Sequence, residues 1–432
     1  MNKINLHLGD CLESMRAMAD NSVDSVVTDP PYGIRFMGKA WDGADIDARA
    51  EARRMMRSHS PDAGPNGGHK SIAAEAGKYD LKPGAMRAFQ EFSEDWAREA
   101  FRVLKPGGYL LSFSSARTYH RMTSGIEDAG FEIRDQILWV YGSGFPKSHN
   151  LKGEWQGWGT ALKPSHEPIA VARKPLVGTV AANVLEHSTG ALNIDGCRVA
   201  GEPMAPNTGA GGLPRRNVDE HRGPGIVAQP HELGRWPANL IHDGSDEVLA
   251  HFPAKAGACS PVKGTESSMA SIGAVTGERG RVMGAFHGDT GSAARFFYCA
   301  KASKSDRDAG LGEFELKEAG IKNESGRGFS ESDPHRKIMR ANTHPTVKPT
   351  DLMSYLVRLV TPPGGVVLDP FMGSGSTGKA AMREGMRFVG CEMDPAYMAI
   401  ARARIEHEQH AVEAARLAAI PQPVPQLDLF AS

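Results

Sequence analysis

Cysteine is scarce in this chain and poorly placed for pairing: Cys11, Cys197, Cys259, Cys299 and Cys391 are scattered over 432 positions with no CxxC. An odd number at such spacing excludes a disulfide scaffold and suits thiols in a reducing cytoplasm. The histidines of the middle stretch, His221, His231, His242 and His251, have no close-spaced cysteine partners, so no metal site is expected. Charge of one sign is missing as well. A formal net charge of -1 excludes a polycation that gathers nucleic acid by bulk electrostatics, and leaves local basic patches as the means. No apolar run is long enough to span a bilayer, and the start has no signal-peptide pattern, so the expected setting is cytoplasmic, away from membranes.

Glycine and proline are plentiful, 49 and 28 residues, which implies many turns and long loops around a core that 40% apolar residues can fill. The length exceeds one typical domain, so a main domain with an inserted or appended lobe is expected. "INLHLGD" alternates as a strand ending at Asp10, "CLESMRAM" has helical spacing, and "VDSVVTD" reads as a short buried strand ending at Asp29. After an aperiodic run, a helix is expected near Phe89 to Leu104, then a turn plus strand in "KPGGYLLSFSS" and strands in "GFEIRDQILWVYG" and "HEPIAVARKP". From about Leu176 to Thr343, stretches such as "GEPMAPNTGAGGLPRR" break the pattern and read as the second lobe. Periodicity returns with the helix "TDLMSYLVRLV", the strand "VVLDP", a helix, the strand "RFVGCEMD" and an amphipathic helix from about Pro395 to Ala419. Strands alternating with helices predict an α/β, doubly wound, mostly parallel sheet.

Between "VVLDP" and the next helix lies "DPFMGSGSTGKA", Asp369 to Ala380. From Gly373 to Lys379 it nearly spells the phosphate-binding loop, whose next position must be Ser or Thr to carry magnesium; here it is Ala380. The other reading is a turn that brings a nucleoside cofactor against the backbone at the carboxyl end of a strand. Glu392, at the end of the following strand, favours the second, because an acid there can take both hydroxyls of a ribose. Asp369 would accept from an ammonium group, and Gly373 and Gly375 would admit the ligand close to the main chain. A sulfonium carrying an amino acid and a ribose suits an acid at each strand end, whereas a triphosphate would be repelled by both. The cofactor implied is S-adenosylmethionine.

A second constellation, "DPPYG", Asp29 to Gly33, also stands at a strand end. Its prolines fix the chain and remove donors, leaving the Asp29 carboxylate and the Pro30 carbonyl as rigid acceptors for a planar amino group. Tyr32 offers a face on which a base can stack, worth about 1 to 3 kcal/mol. Together "DPPY" and "DPFMGSGST" resemble the DNA amino-methyltransferases, which methylate the exocyclic amine of adenine or cytosine. With the catalytic motif first and the cofactor motif last, the order is similar to that of the permuted β group. The likeness spans roughly the first 175 and the last 90 residues, and includes "HPTVKP", His344 to Pro349.

The resemblance implies a circularly permuted, seven-stranded methyltransferase sheet in two halves, residues 1–175 and 344–419, around an irregular target-recognition lobe at 176–343. It implies Asp29, Pro30, Pro31 and Tyr32 as the catalytic motif. Around the cofactor it places Asp10, Cys11, Asp29, Asp369, Pro370, Phe371, Gly373, Ser374, Gly375, Thr377 and Glu392, with His344, Thr346 and Lys348 at the methionine end. Asp at the first motif position resembles the adenine-specific members; cytosine N4 is the alternative base. A protein glutamine or RNA methyltransferase would more commonly begin the motif with Asn. A P-loop-like nucleotide hydrolase and an inactive DNA-binding protein are the rivals from other classes.

The expected substrate is double-stranded DNA with the target base flipped out onto Tyr32. Arg35 and Lys39 in the loop after the motif, and Arg215, Arg216, Arg279 and Arg281 in the lobe, are the candidate DNA contacts. Residues 420–432 read as a flexible tail in which "QLDLF", Gln426, Leu427, Asp428, Leu429 and Phe430, resembles the peptide that docks bacterial replication and repair proteins onto the sliding clamp. Many members of the resembled group are dimers, which makes a homodimer an expectation, and a DNA substrate places the protein at the nucleoid.

Overall fold

A computed structural model of the chain describes residues 3–33, 81–144, 148–201, 233–256, 291–300, 303–318 and 339–419. The described residues fall into two compact units, one within Met1–Trp139, Phe145–Asn193 and Ala300–Ser432, the other within Val140–Gly144 and Ile194–Cys299.

Among the described residues, seven strands build the sheet of the first unit: β1 (Ile4–Leu8), β2 (Val23–Thr28), β3 (Leu104–Phe113), β4 (Glu132–Val140), β5 (His166–Arg173), β6 (Val366–Asp369) and β7 (Arg387–Glu392). They lie in the order β1-β7-β6-β2-β3-β5-β4. Every neighbouring pair from β1 to β3 is parallel, and β5 runs antiparallel to β3. β2 and β6 are buried at every position, as central strands covered on both faces must be. The polar residues of β2 are satisfied across the sheet: Asp24 accepts from the Val366 amide at 2.7 Å and from Lys105, and Ser25 shares a 2.7 Å hydrogen bond with Thr361.

Helices α1 (Cys11–Arg16), α2 (Pro83–Val103) and α3 (Tyr119–Asp128) join one core with β2, β3 and β6. α2 starts on a proline that needs no amide partner and buries Met86, Phe89, Ser93, Trp96, Ala100 and Val103, the spacing of a single helical face. A short α4 (Val180–His187) caps its own start with Thr179. α5 (Thr350–Val360), α6 (Ser376–Arg383) and α7 (Pro395–Ala418) form the other helical group, with α6 and α7 in close approach at Gly378, where an added methyl would meet Ile405 at 2.3 Å. The unit is the expected doubly wound α/β sheet.

The sequence expectation places a turn at "KPGG", yet β3 already begins at Leu104. The strand absorbs the glycines through a register shift opposite Val23 to Ser25, with Gly107 at φ +75°. The lobe expected over 176–343 and the second unit share residues 194–299, while α4 and the described residues from 300 onward belong to the first unit. Those later residues are tied to it by polar contacts: Asp306 accepts from the amide and hydroxyl of Thr350 and forms a 2.6 Å ion pair with Lys379.

The second unit contains a parallel pair of short strands, Leu240–His242 and Tyr298–Cys299, and a bridge between Val199 and Arg235. Arg198 lies over Trp236, and Arg235 and Arg295 over Phe296. His242 is buried, with its ring nitrogens at the Ala294 carbonyl and the Gly244 amide, so it is a packed core residue. Among the described residues no cluster of His, Cys, Asp and Glu could hold a metal, and no helix is long and apolar enough to cross a membrane.

Candidate active site

Four neighbouring parallel strands end at acidic residues. β1 leads through Gly9 to Asp10, β7 ends at Glu392, β6 at Asp369, and β2 leads directly to Asp29. The ladder sets them side by side, with Leu8 paired to Glu392, Asp369 to Gly390 and Leu368 to Val26. The crevice beyond the carboxyl ends of such strands is where open α/β sheets take their ligands.

Asp10 caps α1, accepting from the amides of Leu12 and Glu13 at 2.8 and 3.1 Å. Cys11 follows it, and burial, reinforced by Asp10 and Cys391, pushes its thiol well up, so it stays protonated. Asp369 accepts the hydroxyls of Thr28 and Thr377, each at 2.6 Å, and the Phe371 amide at 3.1 Å. Burial raises its pKa to about 6 despite these donors. Glu392 accepts the amides of Gly373 and Asp394, both at 2.8 Å, and burial raises it to about 7. Neighbouring acids push both further up, Asp29 acting on Asp369, and Asp394 and Asp369 acting on Glu392. A buried carboxylate, Asp369, and a half-buried one, Glu392, at two adjacent strand ends fit a ligand that brings a positive charge and a ribose.

The glycines of the turn serve the protein's own packing. Gly373 and Gly375 have φ of +54° and +80°, in the left-handed region. A Cβ on Gly373 would come within 2.9 Å of the His344 ring, and one on Gly375 within 3.0 Å of the Ala401 Cα. His344 is wedged edge-on against Tyr397 at 4.7 Å, and Thr346 donates its amide to the ring at 3.4 Å. Ser374 and Ser376 face Arg404, a buried guanidinium that also donates to the Ser374 carbonyl. Pro370 is buried, and Phe371 turns into the core, 5.6 Å from Trp96 and 6.1 Å from Phe92. Lys379, the lysine of the near phosphate-binding loop, is 1% exposed and bound to Asp306, so it is not available to a triphosphate.

In the "DPPY" motif Pro30 is buried, Pro31 and Tyr32 are half-buried, and Asp29 belongs to a compact charge cluster. Tyr32 donates its hydroxyl to Asp29 at 2.6 Å and lies 3.1 Å from Glu167. The Lys348 ammonium makes ion pairs with Asp29 at 2.9 Å and with Glu167 at 2.8 Å, and reaches the Tyr32 oxygen at 3.3 Å. It also lies over the rings of Tyr32 and Phe113. Burial opposes charge on Lys348, but the two carboxylates outweigh it and hold its pKa up. Asp29 is pushed above the usual carboxylate range by burial and by Glu167, against the pull of Lys348. Burial and the same carboxylates raise Tyr32, which therefore remains a phenol donor.

Lys348, placed by resemblance at the methionine end of the cofactor, is thus in contact with Asp29 and Tyr32 of the "DPPY" segment. Glu167, absent from the sequence expectation, arrives because β5 is antiparallel and its first residues reach the same edge of the sheet. The strand was legible in "HEPIAVARKP"; its direction was not. Thr28 was missed for a similar reason, since only the pairing of β2 beside β6 shows that it reaches Asp369. Arg35, Lys39, Arg215, Arg216, Arg279, Arg281 and the segment Gln426 to Phe430 lie outside the described residues.

A family model described as DNA methylase matches residues 23–194 and 293–403. The chain is similar to the type II methyltransferase M.HindIII of Haemophilus influenzae, 25% identical over 272 residues, covering 57% of this chain and 83% of that one. It is also similar to the type II methyltransferase M2.DpnII of Streptococcus pneumoniae, 46% identical over 68 residues, covering 16% of this chain and 25% of that one. Among solved structures, the PvuII DNA methyltransferase (cytosine-N4-specific) aligns over 96% of this chain and 95% of its own at 13% identity and TM-score 0.41. The M1.HpyAVI–SAM complex aligns over 93% and 98% at 14% identity and TM-score 0.37.

Proposed function

The chain belongs to the DNA methylase family of the N6/N4 type, and from that premise we propose that it methylates the exocyclic 6-amino group of an adenine flipped out of double-stranded DNA. The observation that carries this reading is the 2.6 Å hydrogen bond from Thr28 to Asp369. It holds the acceptor motif and the cofactor turn, 341 positions apart in the chain, on adjacent strand ends.

S-adenosylmethionine, the cofactor of this family, supplies when bound a methyl group on a cationic sulfonium that departs as a neutral thioether. Asp369, Glu392 and the backbone of the glycine turn are the groups that would hold it, with His344 fixing the turn. At the other end of the crevice, an aromatic amine is a poor nucleophile because its lone pair is delocalised into the ring. Asp29 and the Pro30 carbonyl accept its two hydrogens and favour the pyramidal geometry in which the lone pair can attack. Asp29, already raised above the ordinary carboxylate range, takes the proton that the methylated nitrogen releases and passes it to water. Tyr32, held by its hydroxyl, presents its ring to the flipped base, which costs a few kcal/mol to extrude.

Adenine is preferred over cytosine on the strength of Asp29, since Asp at this position is the commoner choice in adenine-specific members. The proposal extends to target reading by the lobe that carries Arg215, Arg216, Arg279 and Arg281, to loop contacts from Arg35 and Lys39, to docking of "QLDLF" on a sliding clamp, and to a homodimer. Incubation with labelled S-adenosylmethionine and duplex DNA, followed by nucleoside mass spectrometry, is expected to yield N6-methyladenine. N4-methylcytosine would overturn the base assignment. Tight ATP binding with none of S-adenosylmethionine would overturn the reading as a whole.

A further inference from the structure

The Asp29 cluster contains one more carboxylate than the chemistry above uses. Asp29 has both oxygens engaged, Oδ1 by the Tyr32 hydroxyl and Oδ2 by the Lys348 ammonium. A carboxylate so occupied is a weak acceptor for an incoming amine. Glu167 touches the same two groups through its Oε2, 2.8 Å from the ammonium and 3.1 Å from the phenol oxygen. The phenol has a single hydrogen, so it can serve Asp29 or Glu167, never both. Lys348, buried with its ammonium over the rings of Phe113 and Tyr32, likewise has a second carboxylate already within reach.

We propose that Glu167 is a positioning residue for methyl transfer, taking the Tyr32 hydroxyl and the Lys348 ammonium away from Asp29 when the target amine docks there. This rests on the reading of Asp29 as the acceptor for the amine. Before docking, Tyr32 donates to Asp29 and Lys348 is shared. Rotation of the phenol hydrogen toward Glu167 and a small shift of the ammonium free Oδ1 of Asp29 for one amine hydrogen and leave its charge uncompensated. Methyl transfer then balances as before: the nitrogen lone pair forms the new N–C bond, the S–C pair stays on sulfur, and the nitrogen's proton goes to Asp29. Lys348, parked on Glu167, no longer disfavours that protonation.

A counter-ion that merely keeps Lys348 satisfied would make the same static contacts, so the test needs readouts that such a role would not move. The groups that face Asp29 are Tyr32 from its own loop, Lys348 from the segment before α5, Glu167 from β5 and, further off, Asp369 from β6. In Glu167→Gln the shape is kept and the charge lost, so Lys348 settles on Asp29. The expected results are a kcat lower by about 10- to 100-fold, with cofactor Kd and the KM for duplex DNA within about threefold. The acid limb of the kcat profile should move to lower pH, because Asp29 then has an uncontested cation. A duplex with 2-aminopurine at the target position should brighten as it does with the wild type, showing that the base still leaves the stack. Glu167→Asp, which keeps the charge, should recover part of kcat and the wild-type acid limb; if the Gln variant fails to fold, Glu167→Asp with an acid limb moved to lower pH overturns the proposal. An active wild type with a Glu167→Gln variant unchanged in kcat and acid limb overturns this inference alone. A wild type that transfers no methyl group to duplex DNA overturns the acceptor reading and this inference with it.

Discussion

Asp369 and Glu392 are held in a state that disfavours their own charge, and that state has consequences in two directions. Their folded pKa values, about 6 and about 7, lie above the ordinary 3.8 and 4.5. Between those limits the folded protein binds more protons than the unfolded chain, so these groups make stability fall as pH rises from about 4 to about 7. A cationic ligand needs the ionised forms. Cofactor affinity is therefore expected to rise by about tenfold or more between pH 5.5 and 7.5 and to level off above, with protons released on binding. Isothermal titration in buffers of different ionisation enthalpy reads both, and an affinity flat across this range would contradict the assignment. Single substitutions separate the two ends of the crevice. Asp29→Ala should abolish turnover and leave cofactor Kd nearly unchanged, whereas Asp369→Ala, which also strips the acceptor from Thr28 and Thr377, should lose cofactor binding. Equal loss of cofactor by both would show that the roles are not divided in this way.

At the scale of elements, close approach of backbones does work that side-chain lists hide. α2 and α3 touch at Gly125, where a Cβ would stand 2.5 Å from the Gln90 carbonyl oxygen and 2.9 Å from the Glu94 nitrogen. Alanine there would gain about 1 kcal/mol of helix propensity. Overpacking against main-chain atoms costs about 1 to 3 kcal/mol, and because backbone cannot rotate aside the cost should prevail. Gly125→Ala is expected to lower the urea midpoint with an unchanged m-value, leaving cofactor Kd as it was. The core strands and amphipathic helices were legible because their signals are local: continuous burial in "VDSVVT", helical spacing in "TDLMSYLVRLV", an acid at the carboxyl end of β1, β2, β6 and β7. Asp29, Asp369 and Glu392 could be placed at strand ends for the same reason. Pairings between distant segments could not. That β5 runs antiparallel and delivers Glu167, that Lys379 is captured by Asp306, and that Gly373 yields space to His344 all depend on which elements become neighbours, and no period along the chain records it.

For the molecule as a whole, a net charge of -1 bears on how a DNA-modifying enzyme finds its substrate. Non-specific attraction to phosphates scales with the number of cationic contacts, so a nearly neutral protein gathers on DNA less readily than a basic one. A tether would supply the missing local concentration without any new contact at the active site. We propose that the "QLDLF" segment is such a tether, in which Leu429 and Phe430 would be the apolar anchors and Gln426 and Asp428 would orient them. Binding to a bacterial sliding clamp is expected at micromolar affinity, about -8 kcal/mol, as befits a short peptide with two anchors. Changing Leu429 and Phe430 to Ala should abolish clamp capture in a pull-down while leaving kinetics on a short oligonucleotide intact. On a long duplex loaded with clamp, the wild type should methylate faster than this variant, and the difference should vanish when clamp is omitted. Capture undiminished by the double substitution, or absent from the intact protein, would reject the tether. A variant that no longer folds would instead show that Leu429 and Phe430 pack within the protein, since burying each would contribute about 1.5 to 3 kcal/mol to its stability.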